Sequence, residues 1–352
     1  MSSPLDTLDI TILRRDKNGK PDHIFPSNGY TAQQVMASVN LARSLIAGPR
    51  GQPAFTRLCA GTLANTQMET WWGDMTENDL AKSFIHQVVA MFPPIFVDCS
   101  FAHPDHAACT HRKAYEGDFD PLQHAITISE PRLSKMCLAG RMAAREPWNS
   151  KEKQRYRTFV CKLALTFVHE LGHLFVQYLG RGKVDTPPSL SRTGKGHIGE
   201  AGARLEVEMF GGCVVSTRNT DEDDDQAGEL YLYDSDNEIR KITQKAMDDF
   251  VQYNFNLPFG TGDVVPRKSV KTLGHGMPKT YDISDPFAWP TAPALIEEHK
   301  RHGNNSNPYR WSEDLKALMK EEKEKDAKTT TRSDPKSTIY QLPVEPGLAE
   351  SD

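Results

Sequence analysis

The stretch from residue 158 to residue 179 constrains the fold of this chain more than any other. Apolar side chains recur in it at spacings of three and four residues, which is the period of one face of an α-helix. They are Val160, Leu163, Phe167, Leu171, Leu174 and Tyr178. A charged segment at 151–157 precedes them. The pattern predicts one long, mostly buried helix, which begins after a cap at Asn149 or Ser150 and ends near Gly180.

This predicted helix carries two histidines and a glutamate, in the order His169-Glu170-Leu171-Gly172-His173. Residues four apart lie on one face of a helix, so His169 and His173 can present two imidazoles to one metal ion. Glu170 lies about 100° further round the same turn, where it can reach a water molecule at that ion. Two ligands and a positioned base are what metal-assisted hydrolysis needs. The alternative is a buried helix whose histidines only satisfy backbone or carboxylate partners.

Composition and charge narrow the class of protein. The chain has 352 residues, of which 38% are hydrophobic and 25% charged, and its net charge is −5. We therefore expect a globular protein with a sizeable core and no nucleic-acid partner. Its first 16 residues lack the apolar core of a signal sequence, and no apolar run approaches the roughly 20 residues of a membrane span. Six cysteines without paired spacing favour a reduced set, so we expect a cytoplasmic protein without a membrane partner.

Weaker patterns place other elements along the chain. Helices are predicted after Thr31 and Thr76, and a further helix begins at Glu200. Short strands are predicted at four places, which are 95–99, 125–129, 214–218 and 230–233. Residues 49–75 are rich in glycine, threonine and asparagine, and no helix or strand is predicted there. The mixture of elements predicts an α+β fold.

Two other polar clusters could hold an ion but are better interpreted as loops. His103, His106, Cys109 and His111 lie within nine residues of one another, and zinc accepts such ligands, but their spacing matches no closed structural site. The acidic run at 221–225 lacks the central glycine of a calcium-binding EF-hand loop. We interpret both stretches as solvated loops.

In its motif helix and the surrounding residues, about 95–212, the chain resembles the zincin metallopeptidases. Members of the metzincin branch have a glycine and a histidine three and six residues after the second motif histidine, but Val176 and Leu179 stand at those positions. The resemblance is therefore to the gluzincins, whose third zinc ligand is a glutamate on a following helix. It implies a small twisted mixed sheet packed on a long active-site helix, with a mainly helical lower part. It also implies zinc-dependent hydrolysis of peptide bonds, with Glu170 as the general base.

The resemblance leaves two candidates for the third ligand. Glu200 lies in the segment Gly199-Glu200-Ala201-Gly202-Ala203. This segment resembles the gluzincin pattern, in which a glutamate at a helix start is followed three residues later by an alanine. Glu206 lies further along the same predicted helix. We favour a zinc site formed by His169, His173 and Glu200. Glu206 would then orient one of the histidines by accepting a hydrogen bond from its ring.

Other roles implied by the resemblance are less well determined. Gluzincins stabilise the oxyanion of the reaction with a tyrosine or histidine, and five residues of this chain are candidates. They are His197, Tyr231, Tyr233, His275 and Tyr281. The strand at 126–129 precedes the motif helix and is expected to be an edge strand that can pair with an extended peptide.

The predicted organisation has three parts. Residues 1–94 form helices and loops packed on the sheet, residues 95–310 form the zincin-like metallopeptidase domain, and residues 311–352 form a helix and a disordered tail. The expected partner is a peptide or protein substrate. The alternative functions are a repurposed zinc protein with a non-peptide substrate, a non-catalytic zinc protein, and a scaffold in which the histidine pair is structural.

Overall fold

The computed structural model combines helices with two separate sheets, which confirms an α+β fold. Most of the first 265 residues are described, and they all belong to one compact unit, residues 1–301. The described residues are 10–15, 21–66, 68, 71–98, 108–110, 114–190, 200–217, 227–234 and 238–265. The helix and tail predicted at 311–352 lie outside them.

Seven α-helices occur in the described residues, and the fifth is the long helix predicted from the apolar period. They are α1 (Tyr30–Ile46), α2 (Gly51–Leu63), α3 (Glu77–Ala90), α4 (Glu130–Ala143), α5 (Lys151–Gly180), α6 (Ala201–Phe210) and α7 (Gln244–Val251). The side chain of Ser150 caps α5 by accepting a hydrogen bond of 3.2 Å from the Lys153 backbone N–H. Arg181 ends the helix in the left-handed conformation, with φ 48°. Helices α1, α4, α6 and α7 all pack against α5, so this helix is the centre of the core.

The first sheet has five strands in the order β2-β1-β3-β5-β4. Its strands are β1 (Ile12–Arg15), β2 (Pro21–Ile24), β3 (Ile95–Asp98), β4 (Ala108–Thr110) and β5 (Ile126–Ser129). Strands β1, β3 and β5 run parallel to one another, and the outer strands β2 and β4 are antiparallel to their neighbours. The sheet therefore contains strands from both sides of the boundary predicted at residue 94.

The prediction that the strand at 126–129 lies at an edge is wrong. Strand β5 is paired on both sides, with β3 and with β4, and its four residues are all buried. The edge strand on this side is β4, which has only three residues and includes Cys109, so this part of the stretch interpreted as a loop is a strand. Three residues are too few to show the alternation by which a strand is recognised in a sequence.

The second sheet completes the described fold. The second sheet is antiparallel, in the order β6 (Gly212–Thr217), β7 (Glu229–Asp234), β8 (Ile239–Ile242) and β9 (Thr261–Val264). It begins immediately after α6, since Gly211 turns the chain with φ 83°. The short connection matters for the site because it ties the direction of α6 to the first strand of this sheet.

Helix α5 also meets a membrane-span criterion based on length and composition. The mean hydropathy of its most apolar 18-residue window is 1.4, and 72% of that window is buried inside the protein. The central helix of a packed core meets the same criterion. Its motif residues nevertheless face the rest of the fold, because α6 packs directly against it.

Candidate metal centre

The two motif histidines lie one turn apart on the face of α5 that meets α6. Their Nε2 atoms are 3.3 Å apart, and their ring planes are inclined at 57°. The side chains are 26% exposed for His169 and 18% exposed for His173. Both side chains are therefore mostly buried, and their Nε2 atoms face each other.

Glu200 supplies a third atom at the same point. It is the residue that precedes α6, and its Oε2 lies 3.1 Å from His173 Nε2 and 3.5 Å from His169 Nε2. This oxygen is buried and has no partner in hydrogen-bond geometry. His169, His173 and Glu200 thus form a group whose ligand atoms lie within 4.8 Å of one another and which could hold a metal ion.

The distances among these three atoms match tetrahedral coordination. Ligand atoms about 2.0–2.1 Å from a tetrahedral ion are separated from each other by roughly 3.3–3.4 Å. The observed separations are 3.1, 3.3 and 3.5 Å. A single ion can therefore touch all three atoms with little movement of the side chains.

The electrostatics of the site favour a positive charge between the imidazoles. Burial opposes the charged form of His169, but the carboxylates of Glu200 and Glu206 outweigh it and raise its pKa well above the usual range. Burial likewise opposes the charged form of Glu200, but the two imidazoles hold the pKa of this carboxyl far below its ordinary value. A cation at this point would meet an ionised Glu200 carboxylate.

Glu206 approaches His169 from the other side of the ring. Its Oε1 lies 2.9 Å from His169 Nδ1, and its Oε2 accepts a hydrogen bond of 2.7 Å from the Val214 backbone N–H. A carboxylate oxygen accepts hydrogen bonds, so Nδ1 is the donor to Glu206, and Nε2 is the ring nitrogen that faces His173 and Glu200. This contact is the one expected of Glu206 if Glu200 binds the metal.

Two glycines allow α6 to approach α5 closely enough for this arrangement. A Cβ atom at Gly202 would lie 2.4 Å from His169 Cδ2 and 2.5 Å from its Nε2. A Cβ atom at Gly172 would lie 2.9 Å from both the Ala201 carbonyl oxygen and the Gly202 Cα. No side chain fits at either position unless the helices separate. The role of these glycines cannot be recognised in the sequence because it depends on how the two helices cross.

Replacing Gly202 by Ala is expected to weaken metal binding and to destabilise the fold. Glycine to alanine inside a helix usually stabilises by about 0.5–1 kcal/mol, but a methyl group forced against the His169 ring should cost about 1–3 kcal/mol. Chemical unfolding and zinc content measure the two effects. Gly260→Ala is the control, because its added Cβ would make only ordinary contacts at 3.6 and 3.8 Å. A Gly202→Ala variant with the stability and zinc affinity of the wild type would contradict this account.

Glu170 contacts the first sheet. It is 5% exposed, and its Oε2 accepts a hydrogen bond of 2.7 Å from the hydroxyl of Thr110 in the edge strand β4. Thr110 cannot be recognised from the sequence, because 60 residues separate it from its partner. Only the pairing of β4 with β5 brings the hydroxyl to the motif helix.

The other residues that the sequence suggested are placed elsewhere or lie outside the described residues. Tyr231 and Tyr233 are buried in β7, where the Tyr231 hydroxyl donates to Glu229. The thiol of Cys109 lies in β4, and burial, followed by the charge of Glu170, raises its pKa to about 12. The candidates outside the described residues are His103, His106, His111, His197, His275, Tyr281 and the acidic run at 221–225.

Comparisons of the chain with models of protein families, with curated proteins and with solved structures find no match. Within the described residues, His169, His173 and Glu200 are the group of potential metal ligands that converge on one point. The chemistry of this group is therefore the basis on which a function can be assigned.

Proposed function

We propose that the protein is a zinc-dependent peptide hydrolase of the gluzincin type. The observation that carries the proposal is the convergence of His169 Nε2, His173 Nε2 and Glu200 Oε2 at tetrahedral spacing, around a buried carboxylate oxygen that has no hydrogen-bond partner. Two imidazoles and one carboxylate are the protein ligands of many catalytic zinc sites, which keep a fourth position for water or substrate.

The donor set favours zinc over other common cations. Calcium and magnesium prefer six or more oxygen ligands, whereas this group offers two nitrogens and one oxygen. Imidazole suits zinc, copper, iron and nickel, and availability in cells selects among them. Glu206 completes the arrangement, since its hydrogen bond to Nδ1 fixes the orientation of His169 and makes the ring a better electron donor.

Each side chain of this site has its own role in the proposed hydrolysis. Bound zinc would supply the Lewis acidity that lowers the pKa of a water molecule towards 7 and polarises a carbonyl. Glu170 accepts a proton from the attacking water and passes it to the nitrogen of the leaving amine. Glu206 keeps His169 in the tautomer that the site requires.

A peptide is the substrate class that fits the position of the edge strand. Among the described residues, strand β4 pairs only with β5, and Thr110 connects it to Glu170. An extended peptide can add to such an edge through backbone hydrogen bonds. The proposed general base would then lie beside the bound chain.

Removal of zinc is expected to abolish hydrolysis, and its return to restore it. The purified chain should carry about one equivalent of zinc, measured by mass spectrometry of the metal. Cleavage of a fluorogenic peptide library is followed before chelation, after chelation and after zinc is added back. A protein that neither carries nor takes up zinc contradicts the metal site. A protein that holds zinc but cleaves no peptide contradicts the peptidase assignment and favours a non-peptide substrate or a non-catalytic role.

A further inference from the structure

Thr110 and Glu170 form a buried pair between the edge strand and the motif helix. Thr110 is 8% exposed and Glu170 is 5% exposed. The threonine Oγ1 lies 2.7 Å from Glu170 Oε2 and 3.2 Å from the Glu170 backbone oxygen. A hydroxyl has one hydrogen to donate. The shorter contact identifies the carboxylate as the acceptor.

The sheet fixes the position of this hydroxyl. Thr110 is paired in register with Ile126 of β5, so its backbone cannot shift along the strand. Its β-branched side chain has few rotamers. The Glu170 side chain, in contrast, has three rotatable bonds and would choose among several positions without a fixed donor. The hydrogen bond therefore holds the carboxylate in one position relative to the sheet.

The two oxygens of Glu170 have different environments. Oε2 is held by Thr110, whereas Oε1 receives no hydrogen bond in the part of the chain that the structure describes. A carboxylate with one anchored oxygen keeps the other available as a proton acceptor in a defined direction.

We propose that Thr110 is a positioning residue for the general base. Its hydroxyl holds Glu170 Oε2, so that Oε1 is the oxygen that takes the proton from the attacking water. The role rests on the proposed hydrolytic function. A misplaced catalytic group can cost about 10²-fold in rate when it shifts by 1 Å, so an anchor for the base should affect kcat more than substrate binding.

Three variants of zinc-loaded protein test this role. Thr110→Val removes the hydroxyl with little change of shape and should lower kcat about 10–100-fold, with KM within about twofold of the wild type. Thr110→Ser keeps the hydroxyl and should retain a kcat within about threefold of the wild type. Thr62→Val removes a buried hydroxyl that bonds only within α2, and should leave kcat unchanged. Zinc content is measured for each variant.

A second measurement does not depend on turnover. Thr110→Val should lower the thermal midpoint of the wild type, because it leaves a buried carboxylate oxygen without its donor. The same substitution should have a smaller effect in a Glu170→Ala background, where no carboxylate remains to be held. Equal effects in the two backgrounds would overturn the proposed contact.

The outcomes separate this role from the function on which it rests. A Thr110→Val variant with wild-type kcat overturns the positioning role while the hydrolytic function stands. A loss of kcat that Thr110→Ser shares, or that accompanies loss of zinc, overturns it in favour of a purely structural role. A zinc-loaded wild type that cleaves no peptide overturns the proposed function and the positioning role together.

Discussion

Replacing Glu170 by Gln is expected to lower kcat by about 10²–10⁴-fold while zinc remains bound. Glutamine has the same shape and can accept the hydrogen bond of Thr110 through its amide oxygen. It cannot take a proton from water. The measurement is the rate of peptide cleavage together with the zinc content of the same sample.

The control for this substitution is Glu152→Gln, which removes a carboxylate from the first turn of the same helix, remote from the motif. It should leave kcat unchanged. If Glu170→Gln retains the wild-type rate, Glu170 is not the base. If it loses zinc, its effect on rate cannot be assigned to proton transfer, and the division of roles within the motif is wrong.

Glu200→Gln and Glu206→Gln are expected to weaken zinc binding to different extents. Glu206 contacts the ring of His169, and loss of such a partner typically costs about 10–100-fold in metal affinity. Glu200 approaches both Nε2 atoms, so its loss removes a ligand and should cost at least about tenfold more than that. Competition with a chromophoric chelator measures both affinities.

Glu208, which lies two residues after Glu206 on α6, provides the comparison. Glu208 pairs with Arg57 and Arg204, and Glu208→Gln should leave the affinity for zinc unchanged. A larger loss for Glu206→Gln than for Glu200→Gln would identify Glu206 as the ligand. Equal losses would contradict the division of roles between the two carboxylates.

The sequence predicted helices well where the apolar period was long and uninterrupted. Helix α5 has 30 residues and a serine cap, so its period stands out from its surroundings. Helix α2 was not predicted, because Gly51, Pro53 and Gly61 interrupt its apolar pattern and are poor helix formers. Its buried face nevertheless has helical spacing. This face includes Ala54, Phe55, Leu58, Cys59 and Thr62. That spacing was the signal that could have identified it.

The part of the site that depends on spacing along one helix could be predicted from the sequence. The histidine pair follows from a separation of four residues on one helix. The placement of Glu200 next to both Nε2 atoms, and of Glu206 next to Nδ1, depends on the angle and distance at which α6 crosses α5. Contacts of Gly172 and Gly202 set that distance, and they are tertiary contacts, so spacing along the chain could not decide between the two glutamates.

The arrangement of ligands on two helices also has a consequence for how the fold is held together. An ion bound by His173 and Glu200 would close a chain loop through residues 174–199. In the described residues the five cysteines form no disulfide, so such an ion would serve as a cross-link that depends on the supply of metal. Free zinc at 100 times its dissociation constant would contribute about 2.7 kcal/mol to folding stability. The concentration of free zinc would then determine the stability of the contact between α5 and α6 as well as the activity of the site.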